Sequence, residues 1–253
     1  MDASDIKILI LGGTSDAIKM ALELHKNGFC VVYSIAGLVR KPIMPCELVV
    51  GGFTQFGGLS QYLKDEKINA VLDVTHPFAK KMSIQAVKSA QETQIPCWRF
   101  NRLPWKRHPK DQWYEFSSWA ELISNLKDKK SVFLTVGQLD QNSIDQLSEF
   151  KDQKQILRTA VELSMCIPDS MTWVKAIGPF NEINETQLMT KHAVDALVCK
   201  NSGGCATEAK LLVARKKRIP VFMHKRPVLP RADIEFTNIN ECLTFITHNK
   251  KLF

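Results

Sequence analysis

Leu11-Gly12-Gly13-Thr14-Ser15-Asp16-Ala17 stands directly after an apolar run and directly before a stretch of helical periodicity. Glycines at such a turn let an anion approach the backbone. The first N–H groups of the helix point at that anion, and the hydroxyls of Thr14 and Ser15 add donors. The chemistry is phosphate binding, of the kind that seats a dinucleotide pyrophosphate. The turn departs from Gly-x-Gly-x-x-Gly, because Thr14 and Ala17 take the second and third glycine positions counted from Gly12. A bare strand-to-helix turn is the alternative use of the same residues.

The end of the second apolar run bears on which nucleotide would fit. Folds that select NAD place an acid about 20 residues past the glycines, where it binds the ribose 2′-hydroxyl. Here Tyr33-Ser34-Ile35-Ala36-Gly37 holds no acid, and Arg40 and Lys41 follow. Ser34 and Arg40 would accept a 2′-phosphate that a carboxylate would repel, so the expected cofactor is NADP(H). Two further polar clusters close apolar runs: Asp73-Val74-Thr75-His76-Pro77-Phe78-Ala79, and the segment from Lys200 through Ser202-Gly203-Gly204 and Thr207 to Lys210. In open α/β sheets, ligands bind at such strand ends.

The elements that must position these residues alternate strand and helix. Strands are expected at 7–11, 29–35, 47–50, 70–74 and 95–99, with helices at 15–27, 59–66 and 79–91 between them. The stretch 101–118 breaks the rhythm with prolines and aromatics and reads as the crossing into a second domain. Strands resume at 132–136, 155–158, 172–176, 195–199 and 220–223, with helices at 140–150, 183–192, 205–217 and 239–248. Ile68-Asn69-Ala70-Val71-Leu72 is echoed by Val194-Asp195-Ala196-Leu197-Val198, which fits two similar halves. The expectation is therefore α/β: two Rossmann-like parallel-sheet domains, 1–101 and 102–253, with a ligand cleft between them and a C-terminal segment able to pack back on the first domain.

Composition narrows the partners. The chain has 253 residues, 45% hydrophobic and 24% charged, which is globular usage. Lys and Arg outnumber Asp and Glu by 34 to 26, a formal charge of +8 that calls for an anionic partner. The apolar run at 8–11 is too short for a signal peptide or membrane span, so the expected location is cytoplasmic. Seven cysteines without Cys-x-x-Cys spacing and six histidines without paired spacing give no support to a disulfide framework or a metal site.

Together with Gly51-Gly52-Phe53 and Gly178-Pro179-Phe180, the three clusters resemble, in order and spacing, the precorrin-6A reductase family of cobalamin biosynthesis, from about Ile8 to Pro227. The resemblance implies an enzyme that uses NADPH to reduce one ring double bond of a corrin precursor, metal-free or cobalt-containing, with hydride to C19 and a proton to C18. Such a substrate carries many carboxylates, for which Arg99, Arg102, Lys200 and Lys210 are candidates, together with Ser202, Gly203, Gly204 and Thr207 at a helix start. Thr75, Pro77 and Phe78 are expected to wall the cofactor site. His76 suits a proton donor, or alternatively a turn histidine that bonds the backbone or only contacts ligand.

Two other readings compete. One is an NADP-dependent reductase of another small molecule, although no Tyr-x-x-x-Lys pair is present to protonate a carbonyl oxygen. The other is a non-enzymatic nucleotide-binding module. No nucleic-acid-binding motif and no membrane segment is visible, and a monomer or weak homo-oligomer is expected.

Overall fold

Ile8, Leu9, Ile10 and Leu11 are all buried, which a strand achieves only when both faces of its sheet are covered. They belong to β1 (Lys7–Leu11), where Ile8 and Ile10 face one apolar layer and Leu9 and Leu11 the other. The structure is a computed structural model and describes residues 2–37, 41–163 and 166–253. It divides into two units, residues 1–103 with 227–253, and residues 104–226.

In the first unit α1 (Ser15–Lys26), β2 (Cys30–Ile35), β3 (Glu47–Val50), α2 (Leu59–Asp65), β4 (Ala70–Asp73), α3 (Lys80–Thr93) and β5 (Cys97–Phe100) follow β1. The chain returns at its C-terminus with β12 (Ile234–Phe236) and α8 (Ile239–His248). All pairings are parallel, in the order β3-β2-β1-β4-β5-β12. The order reverses direction between β1 and β4, which is where such sheets bind ligands.

The second unit contains β6 (Trp113–Phe116), α4 (Trp119–Leu126), β7 (Ser131–Thr135), α5 (Gln141–Ser148), β8 (Lys154–Thr159), β9 (Met171–Lys175), α6 (Glu182–Lys191), β10 (Ala196–Lys200), α7 (Ala209–Lys217) and β11 (Val221–His224). Its parallel order is β9-β8-β7-β10-β11-β6. Strands β7 to β11 thus repeat the arrangement of β1 to β5, and the sixth strand is added from the opposite end of the sequence. The echoing segments become β4 and β10, at the same place in each sheet. Asn69 Oδ1 accepts the Lys7 N–H at 2.7 Å, and Asp195 Oδ1 accepts the Ser131 N–H at 2.9 Å, so the residue before each strand clasps the start of its neighbour.

Two edge strands and one helix, β6, β12 and α4, do not appear among the sequence expectations. The second unit ends at Arg226, and residues 227–253 belong to the first. The returning segment is integral to the first core: Cys242 and Ile246 are fully buried there, and Trp98 meets Phe245 and Phe253 edge-on at 5.6 and 5.2 Å.

A buried ion pair joins this segment to the sheet. Arg99 Nε donates to Asp73 Oδ2 at 3.0 Å, and Nη1 donates to Glu235 Oε1 at 2.9 Å and to the Pro230 carbonyl at 2.8 Å. Arg99 and Asp73 are 3% and 1% exposed. This corrects the expectation that Arg99 meets a substrate carboxylate: its guanidinium lies inside the first unit and binds the protein's own acids. Removing it would strand a buried carboxylate, a loss of about 3–5 kcal/mol. Arg99→Met is expected to lower stability in urea unfolding by that amount, with Glu235→Gln losing much less because Glu235 is partly solvated; equal stability of Arg99→Met and wild type would refute the structural role.

Candidate functional site

The turn after β1 is shaped by one aromatic ring. A Cβ on Gly12 would lie 2.4–2.6 Å from the Tyr33 ring, so only glycine fits beneath it. The Tyr33 hydroxyl accepts the Gly13 N–H at 3.1 Å, and burial pushes its pKa up against the effect of that bond. Gly13 has φ +99°, and a Cβ there would meet nothing within 4 Å. The turn is therefore held from below and open above, which is the shape a phosphate needs to reach N–H groups at the start of α1.

Thr14 behaves differently from the expectation. Its hydroxyl accepts the Ala17 N–H at 3.1 Å as the helix cap and donates to the Val74 carbonyl at 3.0 Å. Buried and bonded in both directions, it ties α1 to the end of β4, which corrects its expected role as a side-chain donor to ligand. Ser15 is exposed in the first turn of α1. In the same turn Asp16 pairs with Arg102 at 3.0 Å, which moderates the negative charge beside the glycines.

A cavity of about 340 Å³ adjoins this turn, and its wall includes Gly12, Gly13, Ser34, Phe53, Thr75 and His76. The structure thus gathers five expected site residues on one wall: Gly12, Gly13, Ser34, Thr75 and His76. Pro77 is buried beside the cavity, and the Phe78 ring sits 5.8 Å from the His76 ring. Arg40 lies outside the described residues. His76 Nδ1 accepts the Phe78 N–H at 3.3 Å, a bond that favours the tautomer with its proton on Nε2.

Sequence reasoning left Asp73 without a role, although an Asp-x-Thr spacing is a signal for a side chain that bonds two residues ahead. Asp73 Oδ1 accepts both the Thr75 N–H at 3.1 Å and the Thr75 hydroxyl at 2.7 Å. The carboxylate that anchors Arg99 thereby also fixes the turn that walls the cavity.

In the second unit the expected substrate residues gather at the end of β10. Lys200 is partly buried, and burial pushes its pKa down. The Ser202 N–H donates to the Lys200 carbonyl at 2.8 Å, Gly203 has φ +70°, and Gly204 precedes a short 3-10 turn that includes Thr207. Arg226 donates to the Asn201 and Ser202 carbonyls at 2.8 and 3.1 Å, which ties this loop to the chain just beyond β11. Lys210 is buried with its ammonium 5.5 Å from the centroid of Trp105, and burial pushes its pKa down too.

The turn after β7 is the counterpart of the glycine turn but has different surroundings: a Cβ on Gly137 would lie 3.9 Å from the Lys200 ammonium nitrogen. Asp140 caps α5 by accepting the Ser143 N–H at 2.7 Å, so this helix start already holds a carboxylate. Arg158, at the place in β8 that Ser34 occupies in β2, is buried against Glu185, and Phe180 covers its guanidinium with the ring centroid 3.8 Å away. Of the two sheets, the first has the free turn and the adjoining cavity. Among the described residues no group of three or more His, Cys, Asp or Glu could hold a metal ion, and no helix is long and apolar enough to cross a membrane.

Comparison with known proteins agrees with this fold. Residues 7–247 match the family model described as precorrin-6x reductase CbiJ/CobK. The chain is 36% identical over 231 residues to a precorrin-6A reductase of Rhodococcus erythropolis, covering 89% of this chain and 91% of that protein. It is 34% identical to one of Rhodobacter capsulatus over 232 residues, 90% and 91% of the two chains. A solved structure titled CobK precorrin-6A reductase superposes with a TM-score of 0.86 at 31% identity, covering 96% of each chain. The chain belongs to the precorrin-6x reductase family.

Proposed function

We propose that this chain is the NADPH-dependent reductase that saturates one ring double bond of a precorrin-6A-type corrin precursor in cobalamin biosynthesis. As an oxidoreductase of this family it acts on a CH–CH bond and takes its electrons from a nicotinamide cofactor. The observation that carries the cofactor reading is the open Gly13 turn adjoining a cavity whose β2 edge, from Ser34 through Gly37, bears no acid. That edge is where NAD-selective folds place the carboxylate, so its absence together with Ser34 favours a 2′-phosphate. The cytoplasm, with its NADPH pool, suits the seven free thiols.

Bound NADPH supplies a hydride, and the chain's residues position and shield. Gly12 and Gly13 let the pyrophosphate approach α1, and Ser34 meets the ribose phosphate. The cavity that holds Ser34 is then the adenosine end of the site. His76 lines the same cavity, so we read it as a binding residue, away from the reacting carbon. Lys200 and the N–H groups of Gly203 and Gly204 serve the substrate carboxylates, with Arg226 holding that loop in shape.

Mixing the protein with NADPH and the metal-free or the cobalt-containing precursor is expected to oxidise NADPH and change the ring chromophore in equal amounts with one of them. No turnover with either would overturn the assignment, and turnover of some other small molecule alone would favour the general reductase reading. Ala36 is exposed on the cavity wall. Ala36→Glu restores the acid there and is expected to raise the Kd for NADPH about tenfold, ~1.4 kcal/mol, without weakening NADH; unchanged NADPH affinity would count against the adenosine placement.

His76→Ala is expected to raise the KM for NADPH several-fold and to keep kcat at saturating cofactor. A fall in kcat of about a hundredfold or more would instead make His76 the proton donor.

A further inference from the structure

The hydrogen bonds around Thr75 run in a single direction. Asp73, as a carboxylate, only accepts, and Arg99 only donates. Arg99 Nε occupies Asp73 Oδ2 at 3.0 Å, which leaves Oδ1 for the Thr75 N–H and hydroxyl at 3.1 and 2.7 Å. Arg99 is itself fixed by Glu235 and the Pro230 carbonyl, so the carboxylate cannot turn to release Thr75. The one hydroxyl proton of Thr75 is thereby committed. Among the described residues a second hydroxyl, that of Ser83 on α3, is 3.4 Å away, and even a bond donated by Ser83 leaves Thr75 a lone pair.

Thr75 lines the cavity together with Ser34 and Ala36. We infer that Thr75 is a fixed hydrogen-bond acceptor in this cavity, and that through it the chain selects a cofactor that presents a donor on its adenosine half, either the adenine amino group or a ribose hydroxyl. The inference rests on the adenosine placement proposed above. Asp73 is then a positioning residue: it sets the polarity of Thr75 without touching the ligand.

Titration of the full-length protein with NADPH, with its hypoxanthine analogue, and with 3′-deoxy-NADPH separates the two sources. The hypoxanthine base replaces the amino donor with a carbonyl acceptor, and the deoxy sugar removes the 3′-hydroxyl. Wild type is expected to bind one of the two analogues about tenfold more weakly than NADPH, the worth of one hydrogen bond. Thr75→Val should abolish that preference and Thr75→Ser should retain it. Asp73→Asn, with its amide NH2 directed at Thr75 because its oxygen faces Arg99, releases the Thr75 hydroxyl proton but leaves the Thr75 N–H without its acceptor, and should diminish the preference; a melting curve for each variant confirms folding, and Thr75→Val decides the matter where Asp73→Asn does not fold. Equal wild-type affinity for all three ligands, or an undiminished preference in Thr75→Val, overturns the inference. If Ala36→Glu still weakens NADPH, only the Thr75 inference has failed; if Ala36→Glu is also without effect, the adenosine placement has failed with it.

Discussion

The site depends on a carboxylate buried at the end of β4. Removing Asp73 from water is unfavourable unless its oxygens are fully engaged, and the engagement comes from three directions: a guanidinium on β5, and a backbone N–H and a hydroxyl two residues ahead. Arg99 would be equally unfavourable alone, and Glu235 and the Pro230 carbonyl take up one of its remaining nitrogens. The partners of Arg99 span sequence separations of 26 to 136 residues. Closing so long a loop costs only slowly more entropy with length, so a few good buried contacts suffice to hold the C-terminal segment on the first sheet. That segment in turn keeps Asp73 in the orientation that shapes the cavity wall.

The two units show that topology alone does not make a nucleotide site. Both sheets reverse strand order at the same point, and both place a glycine with positive φ after the central strand, Gly13 in one and Gly137 in the other. What differs is what fills the space above. In the first unit the helix cap is the neutral Thr14 and the residue at the β2 end is the small Ser34. In the second, Asp140 brings a negative charge to the helix start, and Arg158 with Glu185 and Phe180 occupies the position equivalent to Ser34. A helix start that already holds a carboxylate gains little from a second anion. One framework therefore leaves a cavity beside the glycine turn in one unit and a buried ion pair under an aromatic ring at the equivalent strand end in the other.

Much of this was legible in the residues. The alternation of β-branched runs with helical stretches gives a parallel sheet, because consecutive parallel strands need a crossover. The glycine turn and the acid-free end of β2 could be read because each depends on local chemistry. What escaped depends on distant partners. β12 has only three residues, and β6, though as long as β3, lies in the proline- and aromatic-rich stretch 101–118 that reads as a crossing; each pairs with a single neighbour, β5 and β11 respectively. Arg99 stands at a strand end, as a ligand-binding arginine would, and nothing local reveals that Glu235 will meet it. Thr14 has the hydroxyl a phosphate would use, but that hydroxyl is taken by Val74, whose approach follows from β4 lying beside β1. Asp73 was readable in principle, since its hold on Thr75 spans only two residues.

The surplus positive charge is also sorted by burial. Along the basic run at the end of α7, Arg215 grips Asp111 through two bonds at 2.6 and 3.2 Å and Lys216 pairs with Glu182, so these charges are largely answered by the protein's own acids. Lys200 and Lys210 differ because burial has already removed much of their water and lowered their pKa values. A solvated lysine must shed its hydration to bind a carboxylate and so gains little, whereas a desolvated one has already borne that cost in folding. A carboxylate arriving beside such a lysine favours the charged ammonium and so raises its pKa again. The formal charge of +8 thus matters less as a long-range field than through the few cations whose burial gives an anion something to offset.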